Sequence, residues 1–132
     1  MDTNVLVALA DENDELHPRA ARDLKRLRRG PFGLTIPVLA ESYHLLLGRY
    51  LRLRLRSLLR HLDAAVVDVP AKAWDEILDW VERYEEHDPD LADAQLVALS
   101  AMNASVRVWS YDKEFASVWR RPDGSRVPSA QR

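Results

Sequence analysis

Apolar residues recur along the chain in two rhythms, one helical and one strand-like, and their alternation predicts an α/β domain. Asp2 follows Met1 and precedes an almost unbroken apolar run from Val5 to Ala10, which predicts a strand end at Asp2 leading into a first short helix. Ala20, Ala21, Leu24 and Leu27 mark one side of a helix over 17–29, stopped by Gly30 and Pro31. Gly33 to Ile36 predicts a brief buried strand. Pro37 suits the first turn of a helix whose apolar side is Val38, Leu39, Tyr43, Leu45 and Leu46.

Residues 51–62 fit both rhythms. Leu51, Leu53 and Leu55 alternate with Arg52, Arg54 and Arg56 like a strand, whereas Leu51, Leu55, Leu58, Leu59 and Leu62 lie on one helical face. The length of the stretch, its lack of β-branched residues and the helix propensity of Leu and Arg favour helix. Ala65 to Val69 then predicts a strand. Ala71 to His87 predicts a long helix with Trp74, Ile77, Leu78, Val81 and Tyr84 on one side, and Leu91 to Asn103 another. Val106 to Trp109 predicts a buried strand, followed by a helical turn around Phe115 and a final strand near Arg126 to Pro128.

No repeat, low-complexity tract or long linker interrupts this order, and 132 residues at 47% hydrophobic content predict a single domain over 1–132 with a real core. The absence of cysteine excludes disulfides and thiolate metal sites and is compatible with a reducing cytoplasm. No secretory signal is visible, and the longest apolar runs fall far short of the ~20 residues that span a bilayer. The expectation is a soluble cytoplasmic protein without a membrane segment. A net charge of -2 conceals segregation: residues 16–60 hold eleven basic residues against Asp23 and Glu41, and residues 61–99 hold eleven acids against Lys72 and Arg83. Two readings stay open, a basic surface for a polyanion beside an acidic face, or solvated helix faces of opposite sign packed together.

Four acids sit at a predicted strand end or inside an apolar helix pattern: Asp2, Glu41, Asp93 and Asp112. In DLADAQLVALSA, Asp90 precedes Asp93 by three residues, so both carboxylates share a helix face. Asp112 follows the strand-like run through Ser110 and Tyr111, and open α/β sheets place ligand crevices at the carboxyl ends of strands. Converging acids raise one another's pKa unless a cation intervenes, and an all-oxygen donor set favours Mg2+ or Mn2+. One or two such ions activate water and steady charge on a phosphodiester. Each acid alone has a bland reading, as a flexible terminal acid for Asp2, a turn residue for Asp112, a helix cap for Asp90 and a partner of a neighbouring helix for Glu41. The spaced set is stronger than any member.

The remaining conspicuous residues add little chemistry. His17, His44, His61 and His87 show no mutual ligand spacing, and none is expected to bind metal. The four tryptophans are expected to pack in or beside the core rather than to stack on bases. Gly30, Gly33, Gly48 and Gly124 are dispersed, so neither a phosphate-binding loop nor a nucleophile elbow is present. The arginines of 49–60 fit RNA phosphates and a protein interface equally.

MDTNVLVAL, the Glu41 of LAESYHLL, DLADAQLVALS and VWSYDKEF resemble, in order and over nearly the whole chain, the acidic motifs of PIN-domain ribonucleases, and most closely those of VapC toxins. The resemblance implies a central parallel sheet flanked by helices. It implies Asp2, Glu41, Asp93 and Asp112 as catalytic and metal-binding acids with Asp90 in addition, and Thr3, Asn4 and Ser110 as supporting polar groups. It further implies Mg2+- or Mn2+-dependent cleavage of RNA, a VapB-like protein antitoxin as partner and a homodimer. Family members carry several apolar residues before the first aspartate, whereas here only Met1 precedes Asp2. The first strand is therefore expected to be shortened or missing, either because the true start lies upstream or because the sheet forms without it and holds Asp2 loosely. Ser110 stands where threonine is commoner and keeps the hydroxyl. An RNA-processing nuclease without an antitoxin, or an inactive module that only binds its partner, are the alternative functions.

Overall fold

A computed structural model of the protein describes residues 1–131. The helices are α1 (Thr3–Ala10), α2 (His17–Leu27), α3 (Ile36–Leu45), α4 (Arg49–His61), α5 (Trp74–Arg83), α6 (Leu91–Met102) and α7 (Glu114–Ser117). The strands β1 (Gly33–Leu34) and β2 (Ala65–Val66) pair in parallel, Gly33 opposite Ala65 and Leu34 opposite Val66. Glycine at 33 lets the strands close up, because a Cβ there would stand 2.8 Å from Cγ2 of Val67 and force that side chain to shift.

The helices form for local reasons and are held by packing. Thr35 Oγ1 accepts from the Val38 N–H and caps α3, with Pro37 in its first turn. Asp90 caps α6 by accepting from the Asp93 N–H at 2.8 Å. Helix α1 is the hub, since it packs against α2, α3 and α4 and buries Val5, Leu6, Ala8, Leu9 and Ala10. Full burial of each Val or Leu there contributes roughly 1.5–3 kcal/mol. Helix α5 packs on α6, and Trp80, Tyr84 and Trp119 meet with ring centroids 4.8–5.4 Å apart. The Trp80 indole N–H donates to the Arg120 carbonyl at 2.7 Å and ties α5 to the tail.

The sheet is continued by single hydrogen bonds rather than full strands. Phe32 and Leu34 turn their carbonyls toward β2, so the Gly33 carbonyl faces the other way and accepts from the Met1 ammonium at 2.7 Å. Asp2 N–H donates to the Trp109 carbonyl at 2.9 Å, while Val108 uses its N–H and carbonyl on the opposite edge, with Pro128 and Ala130. The lateral order is thus β2, β1, Met1–Asp2, 108–109 and 128–130. The place of a central strand is held by Met1 and Asp2, which bring the Asp2 side chain to the carboxyl end of the sheet.

Several expectations are corrected. Val106 to Trp109 forms no strand, only a parallel bridge from Val108 to Ser129, because its inner neighbour supplies two residues. The tail near Arg126 contributes one antiparallel bridge to Arg120. The helix expected over 71–87 is interrupted: single 3-10 turns at Ala71–Ala73 and Glu85–His87 flank α5, and Asp88, at φ 47 before Pro89, turns the chain away. Trp74, at the start of α5, is 63% exposed. In α3 the buried positions are Val38 and Ser42, one turn apart, which leaves Tyr43 and Leu45 on the outer side. Val66 and Val67 are exposed as well. No helix among the described residues is long and apolar enough to cross a membrane.

Candidate active site

Asp2 is 5% exposed, and its backbone is extended where it caps α1. Three donors hold its carboxylate: the Thr3 N–H at 2.7 Å on Oδ1, and the Ser110 hydroxyl at 2.6 Å and the Asn4 amide at 3.2 Å on Oδ2. The expectation of a loosely held or flexible Asp2 is therefore overturned. Asn4 spans the site, for its Oδ1 accepts from the Tyr111 N–H at 3.1 Å and its Nδ2 also reaches Ser110 Oγ at 3.3 Å. Ser110 Oγ in turn accepts from the Asp112 N–H at 3.0 Å. One hydroxyl thus fixes the first acid and shapes the loop that carries the last. Both of those bonds come from the Ser110 hydroxyl, which a threonine would also carry.

Glu41 arrives from the middle of α3, where Thr3 Oγ1 donates to its Oε2 at 2.7 Å. Asp93 arrives from the first turn of α6, one turn after Asp90. Asp112 follows Ser110 and accepts from the Glu114 N–H at 2.9 Å. These five acids, with a sixth, Asp14, and with Thr3 and Asn4, line one open pocket of about 340 Å3 whose apolar rim includes Val7 and Leu45. They surround the pocket without closing on a common point: among the described residues no three acids or histidines stand within reach of a single ion.

The electrostatics follow from that crowding. Burial pushes the Asp93 carboxyl up to about 8, and the nearby charges of Asp90, Asp2 and Asp112 act in the same direction. Burial also raises Asp2, against the pull of the Ser110 hydroxyl and the Thr3 N–H. Glu41 is raised by burial and by Asp90 and Asp2, while Thr3 holds it down. Burial lowers the Met1 ammonium to about 6. Asp93, which ordinarily ionises near 4, therefore holds its proton at neutral pH, and a divalent cation would displace it. The pocket's donor chemistry, carboxylate oxygen throughout, fits a hard ion.

One supporting layer escaped sequence reasoning. Asp23 of α2 is 3% exposed and pairs with Arg26, and it accepts from the Tyr111 hydroxyl at 2.7 Å. Arg19 lies over the Tyr111 ring at 4.5 Å from its centroid. Tyr111 is thus anchored through its side chain to α2 and through its N–H to Asn4, which touches Asp2. The available signal was a charge on the apolar side of α2, with Ala20 and Leu27 one turn away on either side.

Residues 1–120 match the family model of the PIN domain. No curated protein and no solved structure matches the chain.

Proposed function

The chain belongs to the PIN domain family, whose members are generally nucleases that act on RNA, and from that premise we propose that it is a Mg2+- or Mn2+-dependent endoribonuclease, the toxin of a type II toxin–antitoxin pair. The observation that carries the reading is the gathering of Asp2, Glu41, Asp90, Asp93 and Asp112, from the sheet edge, two helices and a loop, around one pocket. Asp2, Glu41, Asp93 and Asp112 would hold the cation, with Asp90 beside them. A divalent ion there supplies Lewis acidity, which makes water nucleophilic at neutral pH and offsets charge on the phosphodiester.

The chain's own groups do the remainder. Ser110, Thr3 and Asn4 keep Asp2 in one rotamer, so the acid needs no reorganisation when charge develops. Thr3 couples Glu41 to the same helix terminus. Asp93, raised by burial and by the charges around it, would have to give up its proton to act as a ligand to the cation.

The toxin reading rests on the likeness of the four motifs to VapC toxins and on an exposed apolar surface next to the pocket. Tyr43, Leu45, Leu47, Tyr50 and Leu53 are all exposed, and Leu45 also lines the acid pocket. A protein seated there covers the site, which is what a VapB-like antitoxin does; a second copy of the chain is the other occupant in this reading. The deciding experiment is cleavage of total cellular RNA by purified protein with Mg2+ or Mn2+, against EDTA and an equally folded Asp93→Asn variant. Cleavage lost in both controls supports the reading, and persistence of cleavage in either overturns it. An RNA-processing nuclease without an antitoxin remains the second reading, distinguished by the absence of a co-purifying small partner that suppresses cleavage.

A further inference from the structure

Ser110 stands between two depressions. Its hydroxyl serves the acid pocket, and its carbonyl accepts from the Gln131 amide on the opposite side. There a second depression of about 300 Å3 opens, whose lining includes Arg107, Asp112, Phe115, Arg126, Pro128 and Gln131. Asp112 lines both depressions, so the 110–112 loop is the ridge that divides them.

Arg107 and Arg126 differ from their neighbours in how their guanidinium groups are used. Arg120 donates to the Trp119 and Ser117 carbonyls, and Arg121 to Ser100. Arg107 and Arg126 are exposed, and among the described residues neither enters an ion pair. Both forks are left available to a ligand, and a guanidinium matches phosphate oxygens two at a time. Phe115, Val127 and Pro128 add an apolar wall. A volume of about 300 Å3 lies at the lower end of the ~300–1,000 Å3 typical of small-ligand sites, suiting one unstacked nucleotide rather than a duplex.

We propose that this depression is a nucleotide subsite for single-stranded RNA, in which Arg107 and Arg126 take the phosphate adjacent to the one presented to the acid pocket. The proposal rests on the nuclease reading above and adds to it a direction for the strand, across the Ser110–Asp112 ridge. Phosphates repelled by the acids thereby find cations within one nucleotide of the cleft.

The test is fluorescence anisotropy of a labelled five-nucleotide single-stranded RNA, titrated in EDTA at several salt concentrations. Each neutralised single-strand phosphate contributes about 0.7 to the slope of log affinity against log salt, so Arg107→Ala/Arg126→Ala, which frees the one phosphate both hold, should flatten the slope by about 0.7. Arg28→Ala/Arg29→Ala, which removes two cations beyond α2, should leave the slope unchanged. An unchanged slope in the first variant, an equal loss in the second, or no measurable binding by the native protein overturns the subsite. Cleavage measured in parallel with Mn2+ separates the two readings. A flattened slope without any cleavage by the native protein sinks the nuclease and leaves an RNA site, whereas Mn2+-dependent cleavage with an unchanged slope sinks the subsite alone.

Discussion

The two ends of the acid pocket hold the same functional group in opposite ways. At the α1 end, Asp2 is buried yet receives three hydrogen bonds, and Glu41 is bonded to the same helix through Thr3. At the α6 end, Asp93 is crowded by Asp90, Asp2 and Asp112, with the Asp90 backbone N–H as the opposing pull. Hydrogen bonds to an ionised carboxylate stabilise the charge, whereas desolvation and like charges disfavour it. The α1 end is thus a bonded frame in which burial still raises Asp2 against its three donors, and the α6 end, where burial and like charges act together, is the responsive one.

The sharpest test of this contrast removes the responsive end. Asp93→Asn should lower RNA cleavage by on the order of 10²–10³, as loss of a preorganised charge-stabilising group does, while the fold is retained. A variant that cleaves within a few-fold of the native protein would place the essential charge elsewhere. Breaking the frame comes next: Ser110→Ala should cost about 10–100-fold in Mn2+ affinity, read by titration, because the orienting group behind Asp2 is gone. The same change leaves Asp112 N–H and Asp2 Oδ2 short of a partner and should destabilise the fold by about 1–3 kcal/mol in urea. Ser110→Thr, which keeps the hydroxyl, should restore both.

Deeper in the frame the effect shrinks. Tyr111→Phe removes one donor from Asp23, which keeps Arg26, so stability should fall by about 1 kcal/mol and cleavage by less than tenfold. A loss as large as that of Ser110→Ala would show that α2 positions Asp2 more directly than the bonding pattern indicates. A further test is a pH dependence. The folded pKa of Asp93, about 8, lies above its ordinary 3.8, so the folded state binds the extra proton between those values. That contribution to stability is complete below about pH 4 and is lost as pH rises through 8. Relative to the native protein, Asp93→Asn should therefore gain melting temperature progressively as metal-free samples go from pH 4 to 9, and added Mg2+ should erase the gain. A difference independent of pH would show that Asp93 ionises normally.

Much of the frame was legible because helical periodicity is local. The apolar positions of α2 and α6, the Pro37 start of α3 and the Gly33 strand are all written within a dozen residues. The arginine-rich stretch read as helix by propensity is α4. What failed depended on distant partners. Val106 to Trp109 has a strand's composition, but a strand needs neighbours, and its inner one is Met1–Asp2. Trp74 and Leu45 fit an apolar stripe, yet burial is decided by what packs opposite. Five of the six acids lining the pocket lie in the ordered motifs, whereas Asp14 lies in none, and the Asp23–Tyr111 bond joins residues 88 apart and has no motif.

Helix α1 carries a consequence for the order in which the molecule opens. It is enclosed by α2, α3 and α4, whereas the tail is fastened by isolated bridges and α7 spans a single turn. Amide hydrogens of Val5 to Ala10 should be among the slowest to exchange with deuterium, close to the rate set by global unfolding, and those of 114–130 should exchange through local opening. Asp2, Thr3 and Asn4 form the first turn of that slowest unit. The α1 side of the acid frame is therefore built into the part of the protein that yields last, and Arg126 into a part that breathes.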